Sequence, residues 1–388
     1  MRWGGRSAFD QMGFDLLTEN LFAGHAAAAA GSVAGAAFLT HPLDTLKTLL
    51  QVGAGSSQQV GLWQVVERVR MVSGLSGFYS GLGWSVLGKL FGFGSRFGTY
   101  EILTAYYKDG RTYNYVHVSE AFLAGMAAGA MEAVICTPFE LLKIRSQVSS
   151  ASLLRKLGSV GVMQESTPLI SKLLPGSTPN MKAWNNTLGM LSTLSTSHID
   201  IVGVLKQYPW MLTGSGRPPF ASEVKEPSKI VSLEGWSALW RGLRPGIAQK
   251  CVFGGFFFST WQFFHIAMLD WKALDLNPPP RSIDDVGPVS PLASSLAAGF
   301  SGMVAAAASH PFDTAKTRSH CIVTPKYIAM ERKLLRWERP GIWLERVTGM
   351  SPADRNIMFR GLKLRMLCSG IASFALVGSY LLSVDYLF

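Results

Sequence analysis

The sequence predicts an all-α membrane protein with six spanning helices in three repeats. Composition is the first reason. Of 388 residues, 48% are hydrophobic and only 16% charged, with a mean hydropathy of +0.21, whereas soluble domains carry about 25% charge. The second reason is a motif stated three times: HPLDTLKTLLQ at 41–51, PFELLKIRSQ at 138–147 and PFDTAKTRSH at 311–320. The third is six apolar stretches, each near the roughly 20 residues that cross a bilayer.

Taken in order, residues 1–20 form an N-terminal segment, too acidic for a transit peptide and too polar for a signal sequence. Targeting information is therefore expected inside the chain. The first helix runs over about 21–50 and contains GHAAAAAGSVAGAA, with Gly31 and Gly35 spaced to let another helix approach. The second, about 82–107, follows an aromatic turn, GFYSG, that ends at Gly81. Its GKLFGFGSRFG resembles a phosphate loop only superficially: no strand precedes it, and its glycines fall at packing intervals. The third helix, about 117–147, carries a second small-residue pair, Gly125 and Gly129.

Residues 148–233 are an insertion rich in Ser, Thr, Leu and Pro, within which IDIVGVLKQYPWML (199–212) reads as an amphipathic surface helix. The fourth helix, about 243–270, follows LWRG; the fifth covers about 290–320; the sixth, about 362–387, follows MFRG. An aromatic residue recurs at one interval after each turn glycine: Gly81 to Tyr100, Gly242 to Trp261, Gly361 to Tyr380. These helices are apolar on nearly every side, which excludes a soluble helical array with polar outer faces. The organisation is thus 21–111 for repeat one, 112–270 for repeat two with its loop at about 150–228, and 271–388 for a linker and repeat three.

A proline inside a helix removes a backbone hydrogen bond and kinks the rod. Three kinks at one depth would draw three helices together. Beyond each proline an acid precedes a base by three residues: Asp44/Lys47, Glu140/Lys143 and Asp313/Lys316. One reading is three local surface pairs, worth about 0–1 kcal/mol each. The other is that each acid reaches the base of the next helix, closing a ring that neutralises itself.

These marks resemble the mitochondrial carrier family. The pattern Pro-x-Asp/Glu-x-x-Lys/Arg-x-Lys/Arg is complete at 138–145 and 311–318, and at 42–47 lacks only the final base, replaced by Leu49. A partner pattern, acid-Gly-x4-aromatic-base-Gly, is complete at Glu234–Gly242, partial at Ser73–Gly81 and reduced to its end at Phe359–Gly361. The resemblance implies six transmembrane helices in three pseudo-threefold repeats around a central cavity. It further implies a monomer in the mitochondrial inner membrane, with both termini toward the intermembrane space. It implies a matrix gate of Asp44–Lys143, Glu140–Lys316 and Asp313–Lys47, braced by Gln51 and Gln147, with His320 in the third brace position. Cardiolipin is implied near Arg241, Gly242, Arg360 and Gly361, where helix N-termini offer free N–H groups to phosphate.

The chain departs from the family at the opposite gate. An aromatic-acid-x-x-base pattern is expected there, but the positions hold Tyr100-Glu101 with Thr104, Trp261-Gln262 with His265, and Tyr380-Leu381 with Val384. One acid remains, so a weak ring is expected on that side.

Residues that break threefold symmetry at cavity depth are candidates for solute contact. Ala36, Glu132 and Ala305 each precede a motif lysine by eleven residues, close to three helical turns, so Glu132 faces as Lys143 does. A lone acid in a spanning helix is costly unless it meets water or a partner. The family's mid-membrane contact positions fall at Gly88/Lys89, Gln249/Lys250 and Cys368/Ser369. Lys89, Gln249 and Lys250, with nearby Arg365 and Glu132, form the expected solute site. Snorkelling to an interface is the alternative for the lysines. Arg96, further along, is read as steering anions inward.

The expected activity is transport of a small anionic or zwitterionic metabolite, with a nucleotide or phosphate-bearing cofactor as the alternative substrate class. A carrier-derived scaffold or receptor without transport is the second functional class. An enzyme is not expected, since GxSxG, HExxH and Walker motifs are lacking. The formal charge of +11 is scattered rather than gathered in runs, which argues against nucleic acid and fits anionic lipid or solute. Cys136, Cys251, Cys321 and Cys368 are too far apart for a zinc motif, and no bound cofactor is expected.

Overall fold

The computed structural model describes residues 21–53, 61–109, 116–151, 178–179, 224–274, 286–287, 289–323, 337–338 and 358–387. The N-terminal segment, most of the insertion and the helix expected at 199–212 lie outside the described residues. The helices are α1 (Leu21–Val52), α2 (Leu62–Ser73), α3 (Leu82–Lys108), α4 (Val118–Ala151), α5 (Pro227–Glu234), α6 (Leu243–Leu274), α7 (Pro291–Ala308), α8 (His310–His320) and α9 (Leu362–Leu387). One short antiparallel pairing joins Thr178–Pro179 to Trp337–Glu338.

The six long rods form a closed ring. Around it α1 packs on α3, α3 on α4, α4 on α6, α6 on α7, α7 on α9, and α9 back on α1. Five of these are long and apolar enough to cross a membrane: α1, α4, α6, α7 and α9. The sixth, α3, is equally long but carries Lys89, Arg96, Glu101 and Lys108. Two of those cations line the central cavity, which explains how a spanning helix tolerates them.

Pro42 and Pro138 lie inside continuous helices. Pro311 behaves differently: the fifth rod breaks at Ser309 into α7 and α8. The proline at the start of α8 cannot donate a backbone N–H, and Ser309 Oγ instead donates back to Ala305 O at 2.7 Å.

Small residues set the closest approaches, but not in every repeat. A Cβ at Gly129 would overlap the Lys250 backbone, and one at Gly125 the Gly254 backbone, so α4 and α6 touch main chain to main chain. Gly88 and Gly92 of α3 abut Phe139 and Cys136 of α4, in keeping with a packing role for that glycine run. Gly31 and Gly35 correct the sequence expectation: a Cβ at either meets nothing within 4 Å. Both face outward, because this stripe of α1 lies away from its neighbours.

The short helices α2 and α5 each lead through a 3-10 turn to a glycine that opens the next rod. Gly81 and Gly242 have φ of 81° and Gly361 has 77°, the left-handed region that glycine enters without strain. In repeats one and three this turn is stapled to the residues flanking the proline. His41 Nε2 donates to Ser80 O and His310 Nε2 to Arg360 O, each at 3.1 Å. Thr45 Oγ1 donates to Phe78 O at 2.8 Å and Thr314 Oγ1 to Met358 O at 3.3 Å.

Candidate functional site

A cavity of about 200 Å³ runs down the middle of the ring. The acids and bases that follow Pro42, Pro138 and Pro311 lie together in one layer of its wall. There the ion pairs run between helices. Asp44 on α1 meets Lys143 on α4, Glu140 on α4 meets Lys316 on α8, and Lys47 Nζ lies 3.2 Å from Asp313 Oδ2. In the first repeat alone the local reading holds as well, with Lys47 Nζ 3.3 Å from Asp44 Oδ1. Taking these charges out of water is costly, and the closeness of the opposite charges is what compensates.

Two amides sit against this layer. Gln51 Nε2 donates to Asp313 Oδ2 at 2.9 Å and to Thr314 Oγ1 at 3.3 Å. Gln147 Nε2 donates to Asp44 Oδ2 at 3.3 Å and to Thr45 Oγ1 at 3.2 Å. His320 occupies the third position, fully buried, and neither ring nitrogen has a hydrogen-bond partner among the described residues. An amide therefore meets an acid of this layer in two of the three positions, and His320 stands in the third.

All five residues expected at the solute site line the cavity: Lys89, Glu132, Gln249, Lys250 and Arg365. Their surroundings differ sharply. Lys250 Nζ lies 2.6 Å from Glu132 Oε1 and 3.4 Å from Glu140 Oε1. Arg365 Nε lies 3.5 Å from Asp313 Oδ2, and its Nη2 donates to Ser309 Oγ at 2.7 Å. Gln249 Oε1 accepts from Lys316 Nζ at 3.4 Å. Lys89 alone of these cations has no ion pair among the described residues, although α3 carries it into the cavity. Arg96, placed further out by sequence reasoning, is instead buried in the wall with its Nη1 3.4 Å from Glu132 Oε2. Among the described residues, seven cations line the cavity (Lys47, Lys89, Arg96, Lys143, Lys250, Lys316 and Arg365) against four carboxylates (Asp44, Glu132, Glu140 and Asp313).

At the expected lipid positions, Arg241 turns inward to Glu234 and to the carbonyl of Ile322. Arg360 offers its carbonyl to His310. Gly242 and Gly361 stand at the N-terminal ends of α6 and α9. At the far end of the cavity, Gln262 Nε2 donates to Val116 O at 3.1 Å, and His265 stacks on Trp261. Tyr380 OH lies 3.2 Å from His25 Nδ1. Glu101 makes no ion pair there among the described residues, matching the charge-poor pattern of the sequence.

Three features escaped sequence reasoning. One is the pair of His/Thr staples, whose signal is the shared HPxDT of repeats one and three. Another is the buried network in which Arg145 Nη1 donates to Glu234 Oε1 at 2.5 Å. The last is the aromatic enclosure of Arg96, half of which has no linear signal because Phe253 and Phe257 arrive from another helix.

A closed ring of six spanning helices, built from three repeats around a charge-lined cavity, defines a multi-pass membrane carrier. The family profile described as "Mitochondrial carrier protein" matches residues 18–111 and 114–167. A "Mitochondrial basic amino acids transporter" of Bos taurus is 29% identical over 60% of this chain and 88% of its own length. A "Mitochondrial tricarboxylate transporter 1" of Mycosarcoma maydis is 26% identical over 61% of this chain and 91% of its own. A "Mitochondrial substrate carrier family protein S" of Dictyostelium discoideum is 26% identical over 60% and 94%. The chain is thus similar to mitochondrial carriers, over residues 18–111 and 114–167 by the family profile and over about 60% of its length by each of these relatives.

Proposed function

We propose that the protein transports a small carboxylate-bearing anion across the mitochondrial inner membrane by alternating access. The observation that carries this is the charge of the cavity: among the described residues seven cations face four carboxylates, and Lys89 has no ion pair. In a poorly screened site that imbalance attracts an anion and repels a cation. A basic amino acid, named for the bovine relative, would add cations to this surplus. Its amine would also have to compete for Glu132, which already holds Lys250 and Arg96. The name of the fungal tricarboxylate relative agrees better with the charges here. The modest volume favours a small metabolite over a nucleotide.

In this reading the ion-pair layer is the matrix gate, with Gln51 and Gln147 as braces and both termini toward the intermembrane space. Lys89, Gln249, Lys250, Arg365 and Glu132 form the solute site. Coupling between site and gate follows from shared partners. Lys250 also touches Glu140, and Arg365 touches Asp313. A solute carboxylate that draws these cations toward itself weakens their hold on the gate acids, so occupancy favours opening. Cardiolipin phosphate at the N-termini of α6 and α9, by Gly242 and Gly361, would anchor a monomer.

Liposomes loaded with unlabelled solute and containing the purified protein test the reading. Labelled dicarboxylates or tricarboxylates should enter, and Lys89→Ala should reduce the rate. Uptake of arginine or lysine but of no carboxylate would overturn the anionic assignment. Absence of all uptake, from a panel that includes nucleotides, would favour the scaffold reading. The charge-poor far gate already gives that reading one observation.

A further inference from the structure

Building on the anionic reading above, we infer that Arg96 and Lys250 form a second anion subsite, which Glu132 occupies as a tethered carboxylate. A solute bearing two carboxylates enters by displacing Glu132, one carboxylate going to Lys89 and the other to Arg96 and Lys250.

Among the described residues, Glu132 is the only acid of the cavity wall outside the ion-pair layer. It is 2% exposed, and its two oxygens are divided between two cations: Oε1 lies 2.6 Å from Lys250 Nζ, and Oε2 lies 3.4 Å from Arg96 Nη1. The second contact is long for a charge-assisted hydrogen bond. Arg96 is 4% exposed, and its Nε, also buried, has no acceptor among the described residues. A guanidinium offers five donors in a planar fork, so this one is poorly used in the empty protein.

Nor can Arg96 turn elsewhere to improve its bonding. Phe93 and Phe97 of α3 and Phe253 and Phe257 of α6 surround its Cζ, with ring centroids 4.7 to 5.7 Å away. Cation–π attraction keeps the guanidinium between those rings. Lys250, by contrast, retains Glu140 at 3.4 Å when Glu132 leaves. A fixed, under-used fork beside a carboxylate on a flexible stem is an exchangeable contact. The tethered acid also acts as a filter. A monocarboxylate is satisfied by Lys89 and gains nothing by evicting Glu132, whereas a dicarboxylate can do both.

The test is thermal unfolding of the purified full chain in detergent with acetate, phosphate, succinate or glutarate, since a ligand that binds only the folded state raises the melting temperature. In the natural protein, succinate or glutarate should stabilise well above acetate and phosphate. Glu132→Gln should lower the melting temperature of the empty protein. It should also tighten dicarboxylate binding by about tenfold, the size of an ordinary coupling between mutually exclusive contacts. Arg96→Lys keeps the charge but loses the fork, and should bring dicarboxylates down to the level of acetate. Dicarboxylate binding unchanged or weaker in Glu132→Gln, a dicarboxylate preference retained in Arg96→Lys, or phosphate equal to succinate would each overturn the inference. If Glu132→Gln does not fold, Arg96→Lys and the anion series on the natural protein still decide. Anion effects that need Lys89 but not Arg96 defeat only this inference, whereas no effect from any anion defeats the anionic reading with it.

Discussion

Arg145 is fully buried beside the ion-pair layer, and its charge is met from four directions. Its Nη1 donates to Glu234 Oε1 at 2.5 Å and to Val224 O at 3.1 Å, its Nε to His320 O at 3.2 Å and its Nη2 to Ile322 O at 3.4 Å. Removing one member strands the other without solvent, so Glu234→Leu should cost about 3–5 kcal/mol of stability. Thermal unfolding of the purified protein measures this, and Arg145→Met combined with Glu234→Leu should cost clearly less than the two single losses added. His320 presents the opposite case, a buried ring with both nitrogens unpartnered among the described residues. His320→Gln should supply the amide that Gln51 and Gln147 supply to the other acids. A hydrogen bond to a charged group contributes about 1.5–3 kcal/mol. The melting temperature should therefore rise while transport slows, because the closed layer is reinforced.

At the scale of helices, the contrast between glycine pairs is the sharpest test of the packing. Gly129→Leu would drive a side chain into the Lys250 backbone and part α4 from α6. Overpacking of this kind typically costs about 1–3 kcal/mol, and here it also displaces Lys250 from Glu132. Gly31→Leu fills open space and should change stability by no more than about 0.5 kcal/mol. Melting temperatures of the two variants, purified side by side, check the ordering. Equal losses would mean that α1 also has a close partner along this stripe.

At the scale of the whole molecule, the ion pairs couple three repeats that share no covalent cross-link. Lys47→Asp would place an acid beside Asp44 and Asp313, and transport into liposomes should collapse. Adding Asp313→Lys restores opposite charges across that interface and should recover part of the rate. No recovery, with both proteins folded, would show that the pair does not act as a gate. The inserted loop gives a second global test. Closing a long loop costs little more than closing a short one, so a chain shortened within 152–223 should still fold with a similar melting temperature. The deletion should stop before Val224, whose buried carbonyl accepts from Arg145.

How much of this was written in the linear sequence depends on periodicity. The repeat, the six rods and the acid–base spacing behind each proline are local patterns, because a helix converts spacing directly into a shared face. Glu132 could be placed on the same face as Lys143 by counting turns, and Lys89 and Lys250 could be placed in the cavity by position in the repeat. Partner choice could not be counted in this way. The local and inter-helix readings of Asp44 and Lys47 use the same residues, and only the approach of α4 and α8 brought Lys143 and Asp313 into range. The same holds for Gly31 and Gly125, which look alike in sequence but differ in what lies opposite. Arg96 is the clearest case. Its enclosure combines rings from α3 and α6 with an acid from α4. The sequence by itself determined the helices, their repeat and the charges they carry, because those follow from short-range chemistry. The tertiary structure alone decided which charges meet and which remain free, because that depends on distances between residues far apart in the chain.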